Sequence, residues 1–256
     1  MADINLTRRG HVQIVEIDRP PHNYFNRQLI GDIADAFEAA DEDPSVRVNL
    51  LCSNGRSFCA GADLVGDQPD TPEGRRADTQ ALYNHGVRIF GTRKPIIAAL
   101  QGHVIGGGLG LAVSADFRIA APDARLTANF TRLGFHPGFG LTLTLPELLG
   151  RQKAAMLLLT GKRISGEEAM ALGLVDRLAD AERLREAALE LAGELAEAAP
   201  LALVSTRLTL RGGLQDRVAA QLAIEIEEQS WLRETADFQE GIRANAMRRT
   251  PEFKGV

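Results

Sequence analysis

The feature that most constrains the fold is the alternation of strand-like and helix-like segments from the N-terminus to about residue 180. Residues 3–18 predict a β-hairpin, and the apolar runs at 46–52 (VRVNLLC) and 95–102 (PIIAALQG) predict buried strands. Residues 27–40 and 109–115 have the apolar pattern of helices. Such alternation favours an α/β fold built on largely parallel strands.

Turn-forming residues and a helical tail account for most of the remaining chain. Residues 65–78 (VGDQPDTPEGRRAD) predict a polar loop, and residues 134–140 (GFHPGFG) predict a second loop. Ser165 and Glu168 have the spacing of a capping box that begins a helix. From about residue 180 onward the pattern is helical, which predicts a helical C-terminal region.

Composition and charge exclude several classes of partner. The chain of 256 residues has a net charge of −5 without a basic stripe, so we expect no nucleic-acid partner. No apolar run approaches the ~20 residues of a membrane span, and the N-terminal segment lacks the apolar core of a signal peptide. Cys52 and Cys59 lack CxxC spacing, which disfavours a disulfide or a zinc site. We therefore expect a cytoplasmic protein with no membrane partner and no metal.

A glycine triplet, Gly106 to Gly108, stands between an apolar strand and a predicted helix in GHVIGGGLGLA. A phosphate-binding loop requires a Lys-Ser/Thr pair after its glycines, and none follows here. A dinucleotide fingerprint fails at its third glycine, where the chain has Leu111. The third interpretation is an oxyanion hole, because the start of a helix exposes unpaired N–H groups that an oxygen can approach at a glycine.

An oxyanion is held well by a second N–H group from another loop, and SFCAGAD is the natural partner. This loop places Ala60, Gly61 and Ala62 between a strand and a potential helix cap, Asp63. On the residues alone, two tight turns without a ligand explain the glycines equally well.

Two segments together resemble the enoyl-CoA hydratase/isomerase family, the crotonase superfamily. They are residues 55–64 (GRSFCAGADL) and 95–121 (PIIAALQGHVIGGGLGLAVSADFRIAA). The similarity is collinear over nearly the whole chain and includes residues 19–51, 157–178 and 237–255.

The resemblance implies an architecture as well as a function. It implies a crotonase-like α/β spiral of ββα units over residues 1–200, with the acyl-CoA site, and a helical trimerisation region over residues 201–256. It further implies a homotrimer, with two trimers paired into a hexamer.

Members of the family bind an acyl-CoA thioester and stabilise its enolate, so the resemblance implies no cofactor beyond the coenzyme A of the substrate. By resemblance, the backbone N–H groups of Ala62 and Gly107 form the oxyanion hole, and Asp63 organises the adjoining loop. The residues that the resemblance places at the substrate are Asn23, Tyr24, Phe25, Ala60, Asp63, Leu64, Gly108, Asn129, Phe130 and Leu133.

Both glutamates that hydratases of the family use to position water are missing. Gly110 and Phe130 occupy their positions and cannot transfer a proton, so simple hydration is not expected. His136, in the loop 134–140, is the first candidate to replace them, since imidazole transfers protons near neutral pH. The alternative is that His136 only hydrogen-bonds a carbonyl of its own turn.

Three other polar residues are weaker candidates for the missing function. Asn129 can polarise water but cannot titrate. Tyr83 and His85 lie on the helix before Pro95, where an exposed helix face explains them equally well.

Phe130, Phe135 and Phe139 cluster near the same loop, either as core packing or as a pocket for a bulky or aromatic acyl group. A water-poor pocket disfavours hydration and strengthens the hydrogen bonds to an enolate. The leading interpretation is an acyl-CoA lyase or isomerase of the hydratase/isomerase type. Isomerisation, thioester or C–C hydrolysis, decarboxylation, acyl-CoA binding without turnover and a nucleotide-phosphate enzyme are the alternatives.

Overall fold

The computed structural model describes residues 3–63 and 69–256, and within them two β-sheets are surrounded by helices. The strands are β1 (Ile4–Arg9), β2 (Val12–Ile17), β3 (Val48–Ser53), β4 (Ile96–Leu100), β5 (His103–Ile105), β6 (Phe117–Ala120), β7 (Arg125–Thr127), β8 (Ile164–Ser165) and β9 (Arg177–Leu178). The helices are α1 (Arg27–Glu42), α2 (Pro72–Gly91), α3 (Gly107–Ser114), α4 (Leu141–Leu149), α5 (Arg151–Thr160), α6 (Gly166–Leu172), α7 (Leu184–Ala196), α8 (Pro200–Arg211), α9 (Leu214–Leu232) and α10 (Ala236–Ala246). A 3-10 helix covers Asn129–Leu133.

The larger sheet has the strand order β1-β2-β3-β4-β6-β9. The predicted hairpin of β1 and β2 is antiparallel, and every later neighbour in this sheet is parallel. Strand β3 is buried along its whole length because helices cover both of its faces. Leu51 packs in the core that includes Ile33 of α1, whereas Leu50 packs in the core that includes Leu184 of α7. The predicted α/β fold with largely parallel strands is confirmed.

The smaller sheet positions the glycine triplet. Its order is β5-β7-β8, and β5 pairs in parallel with β7 at Val104 and Leu126. Gly102, with φ of 56°, turns the chain from β4 into β5. Helix α3 begins two residues after β5 ends, so the triplet lies at the carboxyl end of a parallel strand. Ligand sites of α/β folds are commonly found at such ends.

Two predicted helix starts are confirmed by their caps. The Asn26 side chain accepts the N–H of Leu29 at 3.0 Å, which satisfies a free donor at the start of α1. Ser165 and Glu168 form the predicted capping box of α6, with reciprocal hydrogen bonds of 3.0 and 2.8 Å.

The predicted loop over 65–78 is wrong from residue 72 onward, where α2 begins. Thr71 is the cap, since its hydroxyl accepts the Gly74 N–H at 3.1 Å, and Pro72 suits the first helical position because its missing N–H needs no partner there. The part of the predicted loop at 65–68 lies outside the described residues.

Helix α4 was not expected from the sequence, and it directly follows the predicted loop 134–140. That loop is present, and Gly140 ends it with φ of 75°. Pro146 lies inside α4, which weakens the sequence pattern of a helix.

The C-terminal helices pack against the rest of the protein. In α8, the guanidinium groups of Arg207 and Arg211 pair with Asp116 at 2.7 and 2.8 Å. Helix α9 packs along α2, where the Tyr83 hydroxyl donates to Gln229 at 3.0 Å. The domain boundary at residue 200 stays a prediction. No helix in residues 3–63 and 69–256 has the length and apolarity to cross a bilayer.

Candidate active site

The glycine triplet forms the turn between β5 and α3. Gly106 has φ of 56° and ψ of −120°, a conformation that glycine adopts readily, and its N–H donates to the Thr127 carbonyl at 2.8 Å. Gly107 is the first residue of α3, so its N–H belongs to the unpaired donors of a helix start. Within the described parts of the chain, neither Gly107 nor Gly108 donates its N–H to a protein acceptor. The turn therefore keeps two backbone donors with partial positive charge.

The loop that contains Ala62 lies alongside this turn. The Cys59 N–H donates to the His103 carbonyl, and the Ile105 N–H donates to the Cys59 carbonyl, both at 3.0 Å. Further along the loop, Ala62 and Phe25 form a short parallel bridge. The Ala62 N–H also lacks an acceptor among the residues that the structure describes. The two loops predicted to supply the oxyanion hole are therefore neighbours.

Close packing within the protein leaves no room for a side chain at Gly107 or Gly108. A Cβ atom on Gly107 would overlap the Phe25 ring, and one on Gly108 would lie 2.5 Å from the Cys59 carbonyl oxygen. The prediction that the triplet makes room for a ligand oxygen is therefore incomplete. Side chains and backbone of this chain cover the Cα atoms, while the amide N–H groups stay without an acceptor in the described residues.

Phe139 occupies the space into which a side chain at position 110 would project. A Cβ atom on Gly110 would lie 2.5 Å from the Phe139 Cβ. The Phe139 ring is 1% exposed and makes edge contacts with Phe25 and Tyr83, with centroid distances of 5.8 and 6.1 Å. Phe139 also has φ of 58°, which is uncommon for a residue with a side chain. Position 110 therefore carries no side chain, and Phe139 takes up the space beside it.

Phe130 belongs to a stack of aromatic rings. Its ring tip lies 3.6 Å from the position that a Cβ on Gly106 would take. Phe130 stacks on Phe135 at a centroid distance of 6.4 Å, and Phe135 contacts Phe238 at 5.1 Å. The three phenylalanines 130, 135 and 139 are all buried. The predicted cluster is confirmed for Phe130 and Phe135, whereas the ring contacts of Phe139 are with Phe25 and Tyr83. Their role as an acyl pocket stays a prediction.

His136 is held by its own turn, as the alternative interpretation stated. Its Nδ1 is 2.7 Å from the Pro137 carbonyl oxygen, which only accepts, so Nδ1 carries a proton. Nε2 of the neutral ring then has a free lone pair. The His136 carbonyl accepts from Gln229 at 3.0 Å, and Gln229 accepts from the Tyr83 hydroxyl. Beyond its own turn, the hydrogen bonds of His136 therefore connect it with α9 rather than with the glycine turn.

Tyr83 was expected on an exposed helix face, and this expectation is wrong. The ring is 7% exposed because α9 and Phe139 pack over it. Burial raises the pKa of the Tyr83 hydroxyl, so this group stays protonated at neutral pH. Gly138 is needed beside it, since a Cβ atom there would overlap the hydroxyl oxygen.

Glu225 of α9 is a buried carboxylate that sequence reasoning missed. It accepts the N–H groups of Gly140 and Thr142 at 2.8 and 3.0 Å and also the Thr142 hydroxyl. Burial raises its pKa to about 7. It caps the start of α4 from a distant helix and thereby holds the end of the loop 134–140. Glu225 lies on the apolar stripe with Val218, Leu222 and Ile226, a pattern that was available in the sequence.

The predicted CoA loop is held by the Asn23 side chain. Asn23 is 1% exposed with φ of 51°. Its Oδ1 accepts the Arg19 N–H at 2.9 Å, and its Nδ2 donates to the carbonyls of Asn54 and Ser57 at 2.8 and 2.7 Å. These bonds use the side-chain amide inside the protein, so Asn23 shapes the loop rather than offering its amide to a ligand.

The other predicted substrate residues of these loops differ in exposure. Tyr24 is 39% exposed, with its ring 5.2 Å from the His22 ring. Ala60 is half-buried and donates its N–H to the His22 carbonyl at 3.0 Å, and the Asp63 N–H donates to the Phe25 carbonyl at 3.1 Å. Leu64 lies outside the described residues.

Asn129 and Leu133 lie at the two ends of the 3-10 helix, and both are half-buried. The Asn129 Oδ1 is 3.5 Å from the position of a Cβ on Gly106, so it lies next to the glycine turn. The Leu133 backbone packs directly on Gly241 of α10. The structure therefore places Asn129 next to the glycine turn and Leu133 against α10.

Comparisons with known proteins agree with this architecture. A profile of the enoyl-CoA hydratase/isomerase family matches residues 7–256. The 2,3-dehydroadipyl-CoA hydratase of Escherichia coli (strain K12) is 33% identical over 261 residues, and the alignment covers 100% of both chains. The 1,2-epoxyphenylacetyl-CoA isomerase of the same strain is 32% identical over 250 residues, covering 95% of both chains.

A solved structure extends the agreement to the fold. The crystal structure of an enoyl-CoA hydratase/isomerase from Pseudoalteromonas atlantica T6c superimposes with a TM-score of 0.87 at 30% identity. The superposition covers 98% of this chain and 100% of that chain, which confirms the predicted crotonase-like fold. Because the family profile and these relatives cover nearly its whole length, the chain belongs to the enoyl-CoA hydratase/isomerase family.

Proposed function

We propose that this member of the family stabilises the enolate of an acyl-CoA thioester between the N–H groups of Ala62 and Gly107. The observation that carries the proposal is that both N–H groups lack a protein acceptor in the described residues, on loops joined by backbone hydrogen bonds at Cys59. An oxygen that gains negative charge in the transition state is stabilised by such donors, and one donor contributes about 3 to 4 kcal/mol. Coenzyme A arrives with the substrate and lies along Tyr24 and Ala60, and no further cofactor is required.

Simple hydration is not the proposed reaction. A carboxylate is missing at Gly110, and the buried Phe139 ring fills the adjoining space. Phe130 at the second position is also unable to transfer a proton. We propose instead an isomerase-type reaction in which the α-carbon of the acyl group loses and regains a proton. Both hydratases and isomerases occur among the named relatives, so the family supports either chemistry.

His136 is the proposed proton acceptor. The hydrogen bond from Nδ1 to the Pro137 carbonyl selects the tautomer whose Nε2 accepts a proton. The loop 134–140 that carries it adjoins Phe130, which touches the glycine turn. Acyl-CoA binding without turnover is the second candidate function, and the filled glutamate position favours it.

Exchange of the α-protons in D₂O tests the proposal without knowledge of the final product. Acetyl-CoA, butyryl-CoA and phenylacetyl-CoA are incubated with the protein, and deuterium uptake is followed by mass spectrometry. We expect protein-dependent exchange that falls by about 100-fold in His136→Gln, since general bases contribute about this factor. His11→Gln is the matched control, because His11 also bonds a carbonyl through Nδ1, at 2.8 Å, but lies on the hairpin.

The outcomes separate the two candidate functions. Exchange that His136→Gln leaves unchanged would remove His136 from the mechanism. Tight acyl-CoA binding in calorimetry with no exchange would leave the non-catalytic binder. Absence of any acyl-CoA binding would contradict the proposal altogether.

A further inference from the structure

Arg233, directly after α9, has an unusual environment for a cation. Its Nε is buried and has no hydrogen-bond partner in residues 3–63 and 69–256. The guanidinium carbon lies 5.1 Å from the centre of the Phe135 ring, so an aromatic face covers one side. Burial lowers the pKa of the guanidinium, although arginine keeps its charge at neutral pH.

The carboxylates near Arg233 are already paired with other arginines. Glu234 pairs with Arg75 at 2.7 Å, and Asp78 pairs with Arg27 at 3.7 Å. These are the two carboxylates whose charge acts on Arg233. Next to them, Arg76 forms a two-pronged pair with Glu227. One narrow cleft between α2 and α9 is lined by Arg75, Arg76, Arg233 and Glu234. Among these described side chains, Arg233 is the cation that has no ion pair.

Arg233 is connected with the proposed active site through the aromatic stack. Phe135 lies between Arg233 and Phe130, and Phe130 reaches the glycine turn. Gln229, which lines the same cleft, binds both the His136 carbonyl and the Tyr83 hydroxyl. Arg233 therefore lies on the side of the stack that faces away from the oxyanion donors.

A partly buried guanidinium without an acceptor is costly, and an anion that brings two oxygens satisfies it best. From the Gly107 N–H, the rings of Phe130 and Phe135 lead to the Arg233 guanidinium. This order matches an acyl group that is apolar near the thioester and carries an anion at its far end. We propose that Arg233 binds a carboxylate at the end of the acyl chain, so that the substrates are CoA monothioesters of dicarboxylic acids. This inference rests on the proposed function, because it assumes that the acyl group lies along this stack.

Binding of saturated acyl-CoA esters tests the inference without turnover. Matched pairs of six to twelve carbons, which end either in a carboxylate or in a methyl group, are titrated by calorimetry. For at least one chain length we expect the carboxylate ester to bind the unmodified protein about 10-fold more tightly. Arg233→Met should abolish this preference, whereas Arg9→Met should keep it, because Arg9 pairs with Glu186 at 2.9 Å and lies on the hairpin, away from the cleft.

The outcomes distinguish this inference from the proposed function. Equal binding of both esters at every length by the unmodified protein would overturn it and would mean that water alone satisfies the Arg233 Nε. Such a result would leave the proposed function intact, whereas no binding of either ester would contradict both. If Arg233→Met does not fold, as judged by circular dichroism, Arg233→Lys takes its place, and we expect a reduced preference because lysine cannot form the two-pronged bond. An unchanged preference in either folded variant would contradict the assignment.

Discussion

Gly107 combines two properties that a residue with a side chain cannot combine. Its Cα lies against the Phe25 ring, where a Cβ atom would overlap the ring, and its N–H has no acceptor in the described part of the chain. The Phe25 ring therefore packs directly against Gly107, the residue whose N–H the proposed reaction uses. Position 107 therefore couples the packing of Phe25 to the geometry of the proposed oxyanion hole.

Gly107→Ala should reduce both stability and activity. Displacement of the Phe25 ring should lower the free energy of unfolding by about 1 to 3 kcal/mol, as overpacking of a core does. Displacement of the Gly107 N–H, one of the two proposed oxyanion donors, should slow α-proton exchange by about 100-fold. Urea denaturation and deuterium uptake measure the two effects. Gly193→Ala in α7 is the control, since its Cβ meets nothing within 4 Å and should stabilise the helix by up to about 1 kcal/mol. Unchanged exchange in Gly107→Ala would exclude its N–H from the reaction.

Substitutions at Gly110 and Phe139 should have coupled effects on the free energy of unfolding. Gly110→Ala places a methyl group 2.5 Å from the Phe139 Cβ, so we expect a clear loss of stability. In Gly110→Ala combined with Phe139→Gly the overlap disappears, and the double-mutant cycle should give a coupling energy of about 1 to 3 kcal/mol. Additive effects in denaturation would show that Phe139 does not fill this position.

At the level of elements, helix α4 depends on a cap from another helix. Glu225 of α9 accepts the N–H groups at the start of α4, which follows directly after the loop of His136. The carboxylate is buried, and its pKa is raised to about 7 from an ordinary value of 4.5. The folded protein therefore binds a proton at this site over a pH range in which the unfolded chain does not.

This proton linkage predicts a pH dependence of stability. The contribution of Glu225 is fully present below about pH 4.5 and is lost as the pH rises through about 7, because the folded state holds its proton more tightly. The loss amounts to about 3 kcal/mol. Urea denaturation from pH 5 to 8 should show this fall in the unmodified protein and not in Glu225→Gln. Glu197→Gln, at an exposed glutamate after α7, should keep the fall. An equal slope in Glu225→Gln would contradict the linkage.

At the scale of the whole molecule, the tail exposes apolar side chains that the protomer does not cover. They are Leu201, Leu208, Leu210, Ile224, Trp231, Met247 and Phe253. Leu201 and Leu210 are 86% and 82% exposed, although both lie in α8. Exposed apolar surface of this kind is typical of protein–protein interfaces. The expected trimer and hexamer stay a prediction.

Light scattering should therefore give a mass of three or six protomers. Leu201→Asp and Leu210→Asp should shift the mass towards the monomer, since a charge at a buried apolar contact opposes association. Leu6→Asp is the control. Leu6 is 53% exposed but lies on β1, outside the C-terminal helices, so this substitution should leave the mass unchanged. A monomer of the unmodified protein would contradict the expectation.

Much of the fold was predictable because its signals are local. The Asn26 cap, the Ser165 capping box and the short helix after the glycine triplet follow from neighbouring residues. The start of α2 at Pro72 was missed, although Thr71 and Pro72 carry a local signal. At the site, the proximity of the Ala62 and Gly107 loops was predictable through the resemblance, and the bond of His136 to its own turn was one of the two stated alternatives. The contact of Tyr83 with Gln229 was not predictable, because it joins two distant helices.

The sequence by itself determined the alternation of strands and helices, the glycine turn and the absence of a carboxylate at positions 110 and 130, because periodicity, steric limits and residue chemistry act within short segments. Only the tertiary structure decided that Phe139 fills the space at Gly110, that Glu225 caps α4, and that the buried Arg233 Nε has no hydrogen-bond partner in the part of the chain that the structure describes. These features depend on contacts between residues far apart in the chain. No local pattern specifies which distant side chain occupies a given space, so packing and charge pairing had to be read from the folded protein.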